Sequence, residues 1–107
     1  MATKAPSDIA DLLKIDFKGG TLVEYAMGSW FDKWFSRGIV ETQRFDGTNF
    51  SVTTNRRAKL SADSRKMKVY QEEGVFYIKV RDLGCYAIAP EGIEIPAKPF
   101  YRAKPNG

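Results

Sequence analysis

Six residues between positions 66 and 81 recur at a spacing that gathers one kind of chemistry on one face. Lys66, Lys68 and Tyr70 alternate toward Glu73-Gly74, and Tyr77, Lys79 and Arg81 alternate away from it. With Glu73-Gly74 as a two-residue hairpin loop, Tyr70 faces Tyr77, Lys68 faces Lys79 and Lys66 faces Arg81. Met67, Val69, Phe76, Ile78 and Val80 then share the other face. A slip of one residue mixes apolar and charged side chains on both faces, so burial favours this register. Like charges directly opposed on a sheet cost about a few tenths of a kcal/mol per pair, a cost that an anionic partner removes. Rings between cations on an open sheet suit single-stranded nucleic acid, with bases on the rings and phosphates at the cations. Arg56 and Arg57, with Lys59 and Arg65, lead into the hairpin and extend the expected nucleic-acid-binding strip. A plain solvated strand face explains the same residues without a ligand. Both readings stand at this point.

The second concentration is aromatic. Thr21 and Glu24 have the T-x-x-E spacing of a capping box, and Gly38 supplies a left-handed stop, so the pattern predicts a helix over residues 22–37. At ~100° per residue Val23, Met27, Trp30, Phe31 and Trp34 cluster, flanked by Leu22, Ala26 and Phe35. The apolar arc approaches ~200°, against the ~100° that packing on one sheet requires. The surplus meets either a small N-terminal helix or another protein. In the second case Trp30, Phe31, Trp34 and Phe35 anchor a protein interface, with a homodimer as one form of it. An accessory, inhibitor or assembly subunit is therefore the alternative to a nucleic-acid binder. The tail, residues 96–107, holds Pro96, Pro99 and Pro105 and reads as extended. Its Lys98-Pro99-Phe100-Tyr101-Arg102 segment suits a recognition peptide or a strap over the core.

What is missing narrows the chemistry. The chain has no histidine and one cysteine. Zinc sites built from Cys and His, and Ser-His-Asp or Cys-His catalysis, are thereby excluded. The adjacent acids Glu72-Glu73 sit at a turn, where solvation is their usual role. Asp46-Gly47-Thr48-Asn49 is too short for a calcium loop, and Lys18-Gly19-Gly20-Thr21 lacks the spacing of a phosphate loop. Cys85, between Gly84 and Tyr86, suits a buried apolar position. The expectation is a non-enzyme with no cofactor and no metal. A net charge of +4 adds a mild bias toward anionic partners.

These side chains need a scaffold. At 107 residues the chain fits one domain, with residues 1–6 as a polar leader. Ser7 can cap a brief helix presenting Ile9, Leu12 and Leu13. Asp46-Gly47 predicts a hairpin between residues 39–45 and 48–54, pairing Phe45 with Thr48 and Gln43 with Phe50. Ile39, Phe45, Phe50 and Val52 then share a face. Residues 55–66 read as a basic connector around Leu60, and residues 84–89 and 93–95 as further strands. Helices first and strands after imply an α+β fold: one long and one short helix on an antiparallel sheet of about five or six strands. No apolar run or signal peptide points to a membrane or to export, and one cysteine fits a reducing, cytoplasmic setting.

Overall fold

The computed structural model describes residues 5–25 and 34–96. Eight strands form one antiparallel sheet: β1 (Ala5–Ser7), β2 (Thr21–Tyr25), β3 (Trp34–Phe45), β4 (Asn49–Thr54), β5 (Lys59–Asp63), β6 (Met67–Glu72), β7 (Val75–Val80) and β8 (Gly84–Ala89). Their order is β1-β6-β7-β8-β2-β3-β4-β5, with the three-residue β1 at one edge and β5 at the other. One short helix, α1 (Ile9–Leu13), and a 3-10 turn at Ser64–Lys66 complete the described elements.

The α+β expectation is overturned, because no long helix exists among the described residues. Residues 21–25 are a strand, and residues 34–37 open another; residues 26–33, with Trp30 and Phe31, lie outside the described residues. The reason is visible in β2. It sits between β8 and β3, and Leu22, Val23 and Tyr25 are all buried. A strand covered on both faces loses the alternation that would announce it. Leu22, Val23 and Tyr25, apolar on both faces, then read as part of a helix with too wide an apolar arc. Thr21, Val23 and Tyr25 are β-formers, and tertiary pairing decided the matter.

Gly38 is a bulge rather than a helix stop. Leu22 pairs with Gly38 but Val23 pairs with Ser36, leaving Arg37 as the extra residue. A second irregularity separates Val40 from Thr42. Between these bulges β3 changes partner, from β2 along its first half to β4 along its second. Bulges bend and twist a strand, and here they let one sheet curl over its own face. Gly38 has φ +108°, and a Cβ there would lie 2.5 Å from the Asn55 side-chain oxygen. No other residue fits without displacing that contact.

The curled face encloses the main core. Leu22, Val40, Phe50, Val52, Leu60, Val69, Ile78 and Ile88 form one buried cluster with Leu12 and Phe17. Leu60 is 0% exposed, so the stretch expected to be a polar connector contributes a strand and a core residue. α1 is capped by Asp8, whose carboxylate accepts from the Asp11 N–H, and not by Ser7. The loop after it is fixed by Gln43, which accepts from the Phe17 N–H and donates to the Ile15 carbonyl, each at 2.8 Å. Phe17 then meets Phe76 edge to face, with centroids 5.6 Å apart.

Two further expectations change. The β3–β4 hairpin pairs Phe45 with Phe50 and Gln43 with Val52, a register two residues away from the expected one. The Asp46 carboxylate accepts from the Thr48 and Asn49 N–H groups and so closes a longer loop. The bulge at Glu41 also reverses the alternation: Val40 is buried while Ile39 is 43% exposed. Residues 93–95 are not a strand. Both neighbours of β8 are already filled by β7 and β2, so the chain turns at Glu91-Gly92 and leaves the ladder.

Candidate functional site

The β6–β7 hairpin has the expected register. Tyr70 pairs with Tyr77, Lys68 with Lys79, and Met67 with Val80. The Arg81 N–H donates to the Lys66 carbonyl at 3.0 Å, which brings the last pair of cations together at the hairpin's open end. Glu73 and Gly74 both have positive φ, +52° and +84°, as a type I′ turn requires. Alternation then sends Val69, Phe76, Ile78 and Val80 into the main core.

Lys66, Lys68, Lys79 and Arg81 are all exposed. The ion pairs among the described residues, Arg37 with Glu24 and Arg65 with Asp63, involve none of these four. Two grooves flank this end of the hairpin. One, of about 450 Å³, is lined by Lys68 and Tyr70 with Asp8, Ile9, Ser64 and Met67. The other, of about 540 Å³, is lined by Lys79 and Arg81 with Glu24, Tyr25, Leu83 and Cys85. Cys85 pairs with Lys79 across β7–β8 and is buried; loss of solvent pushes its thiol up, with Lys79 opposing. A raised thiol is a poor nucleophile, so Cys85 has a packing role.

The tyrosines are less open than expected. Tyr70 is half-buried, and Tyr77 is only 1% exposed. The sheet face beyond the main core is a second apolar layer of Val23, Val75, Tyr77, Ala87 and Ala89, against which Tyr70 and Ile95 pack. Burial pushes the Tyr77 hydroxyl up to about 12, with Glu72 and Glu73 adding to the effect. The expectation of two solvent-facing rings is thus corrected for Tyr77, since a base cannot reach it in this arrangement.

Arg56 and Arg57 are exposed but lie elsewhere. They occupy the β4–β5 turn, whereas Lys66 follows the far end of β5. Five strand residues at about 3.3 Å each put roughly 17 Å between the groups, so these arginines do not prolong the hairpin strip. Their turn is organised by Thr54, a buried hydroxyl that donates to the Arg37 carbonyl at 2.5 Å. The same oxygen accepts from the Arg56 and Ala58 N–H groups. Nothing in the sequence marks Thr54 for this role.

Of the expected protein-interface residues, Trp34 and Phe35 belong to β3 and Phe35 is 38% exposed. Neither stands on the expected helix, since residues 34–37 open a strand, and Trp30 and Phe31 lie outside the described residues. Phe35 is followed two residues later by Arg37, whose guanidinium pairs with the Glu24 carboxylate across β2–β3 at 2.9 Å. Among the described residues no cluster of His, Cys, Asp or Glu could hold a metal ion. No helix of the described residues is long and apolar enough to cross a membrane. No protein-family model, curated protein or solved structure matches the chain.

Proposed function

We propose that this protein is a non-catalytic binder of single-stranded nucleic acid, engaged through the open end of the β6–β7 hairpin. The reading is carried by one observation: Lys68 stands opposite Lys79, both exposed and without an ion pair among the described residues. Opposed like charges cost free energy in the unbound protein, and a phosphate between them reverses the sign of that interaction. Lys66 and Arg81 prolong the pair into a four-cation rank, enough for a run of consecutive phosphates. Tyr70, along the groove that also holds Lys68, supplies a ring beside the phosphate track. Affinity on this reading comes chiefly from phosphate neutralisation, with little selection among bases.

The test is binding of a short labelled oligonucleotide to the wild type and to Lys68→Gln/Lys79→Gln. Affinity in the wild type falls with added salt, and the double variant binds more weakly with a shallower salt dependence. Equal binding by both proteins removes the reading.

A further inference from the structure

The apolar face that holds Tyr70 and Tyr77 is covered in part by the chain's own segment after β8. Residues 90–95 leave the sheet at Ala89, and Glu91 passes beside Gly19, where a Cβ would lie 3.0 Å from its carboxylate oxygen. Ile93 then reaches the β6–β7 turn; its side-chain carbons lie 3.4–3.6 Å from where a Gly74 Cβ would be. Ile95 packs on the layer formed by Val23, Val75, Tyr77, Ala87 and Ala89. The segment therefore crosses the face on which bases were expected to stack.

Among the described residues its attachment is slight. Among the described residues the only backbone hydrogen bond made by residues 91–96 is internal, from the Ile93 N–H to the Pro90 carbonyl. It belongs to no strand, Ile93 is exposed, and Ile95 is half-buried. Local segments held by few apolar contacts and no ladder bonds open at low cost. We propose that residues 90–95 are a displaceable strap over the Tyr70–Tyr77 face, and that the bases of a bound single strand compete with Ile93 and Ile95 for it. Phosphates would dock first on the exposed cations, and strap release would then admit bases to the rings. This rests on the nucleic-acid reading above and adds an autoinhibitory step to it.

The experiment uses the full chain carrying Gly74→Cys and Ile93→Cys, compared oxidised and reduced. The two states share one sequence, so a general folding defect cannot mimic a difference between them. Oxidation should pin the strap, weaken binding of a fluorescein-labelled oligothymidylate several-fold and slow cleavage at Glu91 and Glu94 by a glutamate-specific protease. Reduction should restore both. Ile93→Ala/Ile95→Ala should bind more tightly than wild type and be cut faster at those sites. Equal affinity in the two redox states, where binding occurs, overturns the competition. Absence of binding in both states removes the nucleic-acid reading instead, and cleavage alone then decides whether the strap opens: faster in the reduced state supports it, equal rates overturn it.

Discussion

Lys68 and Lys79 face each other across the β6–β7 ladder, with Tyr70 and Tyr77 opposed two residues further along. The first pair is exposed; in the second, Tyr77 is closed off by an apolar layer. A single hairpin thus carries a cationic end open to solvent and an aromatic end turned into packing.

That division gives opposite signs for one substitution. Lys79→Thr removes a like-charge repulsion and introduces a better strand former, so the free protein should gain about 0.2–1 kcal/mol. Oligonucleotide binding should weaken in the same variant. Urea unfolding and anisotropy titration of one preparation check both signs.

Leu60 tests the assignment of residues 55–66. A solvated connector would tolerate Leu60→Ala, whereas a fully buried strand residue should lose about 2–5 kcal/mol of stability. The urea midpoint should shift accordingly.

Thr54 holds the bend. Thr54→Val keeps the shape but leaves the Arg37 carbonyl and the Arg56 and Ala58 N–H groups without their partner. A loss of about 1–3 kcal/mol is expected, with faster amide exchange at residues 56 and 58 as the local signature.

Alkaline pH reads the buried tyrosine layer. The Tyr77 hydroxyl has its folded-state value raised from 10.0 to about 12, so the folded protein holds a proton that the unfolded chain releases first. Stability should accordingly fall as pH rises from about 10 toward 12. Tyr77→Phe should flatten that fall, as followed by thermal unfolding at several alkaline pH values.

The hairpin register was legible in the sequence because one of its faces is apolar but for Gln71 and a type I′ turn pins the pairing. Met67, Val69, Ile78 and Val80 leave no other alignment that buries them. The burial of Tyr77 was not legible, since it depends on Ile95 and on neighbours in β2 and β8 that no local pattern connects to it. The helix over residues 22–37 failed for a related reason: double-sided burial of β2 erased the period of two. β3 misled differently, because two bulges reset which residues face inward; the first leaves Gly38 as its trace and the second, at Glu41, leaves none. The site inherits this split. Lys66, Lys68, Lys79 and Arg81 gather as alternation required, whereas Arg56 and Arg57 depart because Leu60 draws the intervening residues into a strand.

The most direct test is the salt dependence of oligonucleotide binding. With four cations neutralising phosphates, the logarithm of the association constant should fall against the logarithm of salt with a slope near ~−3 for single strands, and Lys68→Gln should reduce that slope by about 0.7. A slope near zero, or one that the substitution leaves unchanged, contradicts binding at the cationic end of the hairpin.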